Sequence, residues 1–347
     1  MKYLSHLARF FVFTQVLPII ENGELGEPPS AAPDGDILVG GQAVLEGVMM
    51  RSPHAWGIAV RKPSGEMVTH CEPIERPSEK HKWMAWPILR GIMTLGFAMK
   101  LGYKAMKYST NVALAEAQPE VADGEKLQIS GWLSTVNTVL SIAFFIAFYK
   151  FLPLLVAHGI QRKAHFGTVA LNFVDGGIRL LLFLGFLWLL SRMKDIRRIF
   201  EFHGAEHKTV FAFEANHGDG TPVTIARAQE FVTWHPRCGT SFLMTVMLIS
   251  LGVYALFPAT HFATQFAIRL ALLPLIVGVS YELIRFAGKL RNQERDGGLF
   301  RILTLPGLWL QRITTKPPAD DQIETAIVAL DAAMELEKVH GGELVLA

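Results

Sequence analysis

Phe202-His203-Gly204-Ala205-Glu206-His207-Lys208 is the densest knot of metal-capable side chains in the chain. At 3.6 residues per turn, positions i, i+3 and i+4 share a helix face, so this spacing points His203, Glu206 and His207 the same way. Two imidazoles at i and i+4 can close on one ion, and the carboxylate beside them can take a proton from water. That is the H-x-x-E-H order of inverted zincins. A polar helix face with two histidines would read the same over five residues. A second group follows in Trp234-His235-Pro236-Arg237-Cys238-Gly239-Thr240-Ser241, an H-x-x-C pair just before an apolar run. Thr240 or Ser241 can cap a helix there, and a helix N-terminus favours the Cys238 thiolate, the form that binds metal. His203, His207, His235 and Cys238 together would make a tetrahedral Zn²⁺ shell. The alternative is a buried cysteine and a turn-stabilising histidine. Glu282 and Glu214 are further ligand candidates. Glu214 lies about 10 Å along the axis from His207, so it can share an ion only if the helix breaks.

Composition says where such a site would sit. Half of the 347 residues are apolar and 18% are charged, with a mean hydropathy of +0.29. That is more apolar and less charged than an ordinary globular domain. It points to a membrane protein with substantial aqueous parts. A net charge of +2 supplies no electrostatic footprint for nucleic acid. Cys71 and Cys238 form no CxxC and no disulfide framework, and reduced thiols facing the cytosol fit them.

The elements that must position the site divide the chain into five stretches. Residues 1–36 hold a short apolar run, expected as a membrane-surface helix, and a Gly/Pro/acidic linker. Residues 37–82 read as a small antiparallel β unit outside the membrane. Its strands are Gln42–Met50, Trp56–Arg61 and Met67–Cys71, with a turn at Pro63-Ser64-Gly65-Glu66. Glu46, His54, His70 and Cys71 are potential ligands there, each more naturally structural, and Gly40-Gly41 allows close backbone approach. Residues 83–131 read as an interfacial helix rich in Trp and Lys, then a polar break. Residues 132–290 hold four apolar runs, Trp132–Val156, Val169–Leu190, Phe242–Phe257 and Phe266–Phe286, with the metal-site segment 192–240 between the second and third. That segment would continue as a helix out of the second run. Residues 291–347 form a tail with a turn at Leu305-Pro306-Gly307, a boundary at Pro317-Pro318 and an amphipathic helix built on Ile323, Ile327, Leu330 and Met334.

Lys and Arg set the orientation. Arg192, Lys194, Arg197, Arg198, Lys208, Arg227 and Arg237 lie between the second and third runs, against Arg162 and Lys163 between the first two. Four crossings with both termini and the metal site cytoplasmic satisfy this bias. Within the runs, Asp175 can pair with Arg179 and Glu282 with Arg285.

The blocks Gly40-Gly41-Gln42-Ala43-Val44-Leu45-Glu46-Gly47-Val48-Met49-Met50-Arg51, His203–Lys208 and His235–Ser241 resemble the signature blocks of the YqhQ-like bacterial membrane proteins. The likeness runs from about Ile37 to about Leu336 and takes in Pro306-Gly307, Gln311, Thr314 and Thr315. That family is of unknown function and is described as predicted metal-dependent enzymes. The resemblance implies an integral membrane protein of the bacterial inner membrane with a metal site.

The expectation is an α-helical membrane protein with a cytosolic β unit and a zinc-dependent hydrolase site. His203 and His207 hold the ion, and Glu206 is the general base. Cys238, His235 or Glu282 completes the shell. A non-enzymatic membrane scaffold with a closed structural metal site is the alternative, because four protein ligands leave no position for water. Cysteine nucleophilic chemistry lacks an orienting acid. A transporter lacks an inverted repeat. The expected partners are the lipid bilayer and an unidentified substrate or protein, with self-association left open.

Overall fold

The computed structural model describes residues 39–74, 81–117, 131–216, 221–257, 261–292 and 297–340. The expected surface helix and linker in residues 1–36 lie outside them, as does most of the polar break.

Short β-branched and apolar runs separated by turn residues form a four-stranded antiparallel meander, β1 (Gly40–Val44), β2 (Gly47–Arg51), β3 (Ala55–Arg61) and β4 (Met67–Pro73), in that order. The turn at Pro63–Glu66 is as expected, with Gly65 at φ +90°. Gln42–Met50 is not one strand. The chain reverses at Leu45-Glu46, where Glu46 takes φ 53° and Val44 pairs with Gly47. The turn is hidden in sequence because the sheet is covered on both faces, so its strands lack the polar alternation that would mark a break.

Alternate residues of β2 and β3 face opposite ways. Met49, Trp56, Ile58 and Val60 pack on Leu101 and Ala105 of α1 (Leu89–Ala117). Val48, Met50 and Ala59 pack on Phe202, Ala205, Ile323 and Leu330. The helix expected to lie flat on a membrane is therefore docked along one side to the sheet, with Met99 and Tyr103 left exposed.

Five helices follow α1 before the second metal-site group. They are α2 (Gly131–Ile146), joined by a π-helical turn at Ala147–Phe151 to α3 (Leu152–Ala164), then α4 (Thr168–Leu190), α5 (Lys194–Asn216) and α6 (Ile225–Gln229). After it come α7 (Gly239–Ala255), α8 (Phe262–Ala271), α9 (Leu273–Asn292), α10 (Gly297–Thr314) and α11 (Asp320–His340). Val139–Ala164 and Thr168–Leu190 are long and apolar enough to cross a membrane, with mean hydropathies of 2.2 and 1.9. A third stretch qualifies if α8 and α9, bent by 45° at their junction, count as one. The four expected crossings thus become two or three by length, since α7 has only 17 residues.

Two expectations about helix ends change. The H-x-x-E-H helix does not continue from α4, because Ser191–Met193 form a turn and α5 starts afresh. Leu305-Pro306-Gly307 is no turn but lies inside α10. A Cβ on Gly307 would stand 2.4 Å from that of Ser241. The close crossing of α10 on α7 overrides the local turn signal.

Pro317-Pro318 ends one helix and α11 begins at Asp320, where the Ala319 N–H donates to Gln322 Oε1 at 2.9 Å. The expected stripe Ile323, Ile327, Leu330 and Met334 packs on the sheet. Ser52 Oγ and the His54 N–H both donate to Glu337 Oε2, at 2.6 and 2.7 Å, tying the far end of α11 to the β2–β3 turn. At Gly57 a Cβ would stand 2.8 Å from the Ala329 carbonyl oxygen and the Ala333 nitrogen. Gly57→Ala should therefore cost ~1–3 kcal/mol by overpacking. Gly159→Ala, in open space on α3, should be neutral or stabilise by up to ~1 kcal/mol. Equilibrium unfolding of the purified variants reads both.

Candidate metal centre

The site is built where α5 passes between the sheet and the turn joining α10 to α11. Gly204 sets the distance: a Cβ there would lie 2.1 Å from the Lys316 carbonyl oxygen. Lys316 N–H in turn donates to the Phe200 carbonyl at 2.9 Å. This contact brings the Thr314 carbonyl onto His203, whose Nδ1 lies 2.8 Å from it. One turn on, His207 Nδ1 meets the Thr233 carbonyl at 2.5 Å. A carbonyl only accepts, so both rings carry a proton on Nδ1 and turn Nε2 inward. Thr233 is held there by Lys208, whose Nζ donates to the carbonyls of Gln229 and Phe231 at 2.9 and 2.5 Å.

Cys238 closes the group from the N-cap of α7. Its Sγ lies 3.3 Å from His203 Nε2 and 3.2 Å from Thr240 Oγ1. Thr240 therefore contacts the sulfur, and Ser241 Oγ accepts from Gln311 Nε2 at 2.9 Å, so neither serves as the expected cap. One ligand atom from each of His203, His207 and Cys238 falls within 4.8 Å of the others. His207 Nε2 is buried without a hydrogen-bond partner. An orphaned imidazole nitrogen beside a second imidazole and a thiol is a donor set that fits Zn²⁺.

Glu206 stands at the edge of this trio, with Oε2 3.5 Å from His207 Nε2. Gly41 of β1 lies directly over it, where a Cβ would be 2.7 Å from Glu206 Cγ. The Gly40-Gly41 pair thus serves close approach to a site residue, and the sheet packs on the site helix as expected. Neither Arg198 nor Arg237 takes Glu206: Arg198 pairs with Glu46, and Arg237 with Glu214.

Two expected ligands have other partners. His235 is clamped through its backbone by Gln311, which accepts from its N–H at 2.7 Å and donates to its carbonyl at 2.9 Å. Its Nδ1 accepts from the Arg237 N–H at 3.2 Å, so the proton sits on Nε2, 3.8 Å from Glu214 Oε2. This is the opposite tautomer to the other two rings, and it presents a donor to a carboxylate rather than a lone pair to an ion. Glu282 on α9 is bound by both Nε and Nη2 of Arg90 and by the Ile88 N–H, and Arg90 rather than Arg285 is its main partner. Of the other candidates, His54 contacts Glu337, and His70 contacts Glu72 and stacks on Tyr108.

Electrostatics reinforce the trio. Burial disfavours the Cys238 thiolate, but the fields of His207 and His203 outweigh it and hold the thiol well below its usual range. Burial likewise opposes charge on His207, yet the Cys238 sulfur and the Glu206 carboxylate raise it to about 9. Metal-free protein therefore holds an imidazolium–thiolate pair that an ion would displace. In a Cys71→Ser background, iodoacetamide should alkylate metal-free Cys238 at pH 7, where an ordinary thiol near pKa ~8.5 is mostly protonated. The rate should stay high as pH falls from 9 to 7. It should drop at least tenfold with equimolar Zn²⁺, and revert to an ordinary thiol profile in His203→Ala.

The comparisons agree with the blocks that carry the site. A family described as a protein of unknown function (DUF1385) matches residues 86–336. An uncharacterized protein, YqhQ of Bacillus subtilis (strain 168), is 32% identical over 303 residues, covering 86% of this chain and 92% of that protein. No solved structure matches the chain. The family match over residues 86–336, which hold the site, and the likeness to YqhQ over most of its length make this chain a member of the YqhQ-like DUF1385 family.

Proposed function

We propose that this protein is a multi-pass membrane protein carrying a zinc-dependent hydrolase centre at the cytoplasmic face. The observation that carries the reading is the convergence of one ligand atom from each of His203, His207 and Cys238 within 4.8 Å. The rings are fixed from behind by two backbone carbonyls, and a carboxylate lies beside them. Three protein ligands leave a coordination position open, the arrangement of catalytic zinc. When bound there, Zn²⁺ would supply Lewis acidity and lower the pKa of water. Glu206 accepts a proton at Oε2 from the attacking water and returns it to the leaving group. Gly41 and the sheet above it exclude bulk solvent. His235, with Nε2–H toward Glu214, orients the loop that presents Cys238.

The same burial favours a second reading. Glu206 is only 6% exposed and His207 2%, so a carboxylate swung onto the ion would close the shell and make the centre a structural pin in a membrane scaffold. Glu206→Gln separates the two. As a general base its loss should cost ~10²–10⁴-fold in activity while zinc content and abundance stay normal. As a structural ligand its loss should lower zinc content and abundance together, as His203→Ala, His207→Ala and Cys238→Ala should in either case. Zinc per purified protein, abundance and rescue of a deletion phenotype are the readouts.

The membrane part of the reading rests on the two long apolar helices, the bent pair, and α7, whose 17 residues reach the lower limit for a crossing. The basic segment between the second and third crossings supports an inside location for the sheet and the metal centre. Cys71 on β4 is exposed and reports on that side. A membrane-impermeant maleimide should leave Cys71 unlabelled on intact cells and label it after permeabilisation. Labelling from outside would invert the topology.

A further inference from the structure

A second polar centre lies among the apolar helices, away from the histidines. Asp175 and Arg179 of α4, Arg269 of α8 and Tyr254 of α7 are each at most 3% exposed. Arg179 binds Asp175 one turn away, as the sequence suggested. Arg269 Nη2 reaches the same Asp175 oxygen at 3.1 Å and Asn172 Oδ1 at 2.8 Å. Lys150 donates to Tyr254 Oη at 3.3 Å, and all three cations stand 5.4–5.5 Å from the Tyr254 ring centre. Among the described residues, two guanidinium groups thus share one carboxylate, with Lys150 beside them on Tyr254.

That balance is the unusual part. A single pair buried between helices would be a lock. The second guanidinium is a surplus positive charge, and in a low-dielectric region it costs more than a pair can return, unless an anion joins it. Unused donors are present, because Arg179 Nε and Arg269 Nε are buried without partners. Two departures from regular helix aim cations at the same place. The π-helical turn Ala147–Phe151 carries Lys150, and such turns inside α-helices gather at functional sites. Arg269 sits just before the 45° bend between α8 and α9, and interrupted membrane helices commonly line binding sites. A cleft of about 100 Å³ between α4 and α7 leads to Arg179 past Phe173, Leu180, Met247 and Leu251.

We propose that Arg179, Arg269 and Lys150 form an oxyanion site that takes the head of an acidic lipid, whose chain lies in the α4–α7 cleft. The guanidinium groups supply paired N–H donors suited to a phosphate or carboxylate. Apart from Arg179, the cleft walls are apolar and suit an acyl chain. This site depends on the membrane placement proposed above and not on the metal centre.

Lys150→Met is the cleanest probe. It removes the amine and strands no acid, since Lys150 contacts the Tyr254 hydroxyl and ring and no carboxylate. Detergent-solubilised full-length protein is titrated with dioleoyl phosphatidic acid, dioleoyl phosphatidylcholine or inorganic phosphate, and thermal stability is followed. Phosphatidic acid should stabilise the wild type at concentrations at least tenfold lower than phosphatidylcholine. Lys150→Met should lose about tenfold of that preference while unfolding no earlier than wild type without lipid. The paired variant Asp175→Asn/Arg179→Met, which removes both charges of one ion pair, should lose it too. Equal stabilisation by both lipids, or an unchanged preference in Lys150→Met, would overturn the site. Stabilisation by inorganic phosphate as effective as by phosphatidic acid would overturn the lipid assignment. Membrane fractionation of the same strains tests the placement separately, so the two failures cannot be confused.

Discussion

The proposed metal centre depends on one close approach, that of α5 to the α10–α11 turn at Gly204. Any side chain at that position would collide with the Lys316 carbonyl. With glycine, the turn drops onto the helix and delivers the Thr314 carbonyl to His203. Ring orientation follows from that hydrogen bond, and the tautomer follows from the ring's having an acceptor at Nδ1. A similar logic repeats above the helix, where Gly41 lets β1 descend onto Glu206. The chemistry sits on side chains, but backbone proximity aims them. This explains why three glycines, Gly41, Gly57 and Gly204, lie at the contacts that join sheet, α5 and α11.

The parts legible in sequence were those governed by local periodicity. Spacing put His203, Glu206 and His207 on one face, and adjacency to an apolar run put Cys238 at a helix start. The stripe Ile323–Met334 announced its own packing. What could not be read was partner choice at long range. Glu282 looked available because nothing near it in sequence reveals Arg90, 192 positions away. His235 has the right residue type at the right place. Its partners are a neighbouring backbone N–H, which sets the tautomer, and the clamp of Gln311, 76 positions on. Thr233 was missed, and Thr314 entered only through the family likeness, because both act through carbonyls, which every residue type carries. Two backbone features were masked differently. The Leu45-Glu46 turn lay in an unbroken apolar run, and Pro306-Gly307 carried a turn signal that helix crossing overrode.

The two polar centres solve opposite problems with the same ingredients. At the proposed metal centre, two imidazoles and a thiol converge, a donor set that suits a cation once its protons are displaced. Among the apolar helices, cations outnumber carboxylates, so an anion is wanted. Both are buried, where unbalanced charge is expensive. Each therefore reads as an incomplete set, and the groups present identify the class of the missing member.

The contact between His203 and Thr314 also has a meaning in time. The two residues are 111 positions apart, and the α11 helix that holds the turn down on the sheet ends near His340. A chain emerging from the ribosome from its N-terminus has made β1–β4, α5 and Cys238 long before it makes Thr314 or α11. Until then the sheet lacks a cover on one face, and His203 lacks the acceptor that orients its ring. In the proposed reading, metal loading in the arrangement described follows synthesis of α11. Without that helix the ligands would be present but unaimed, so α11 acts as the latch on the site.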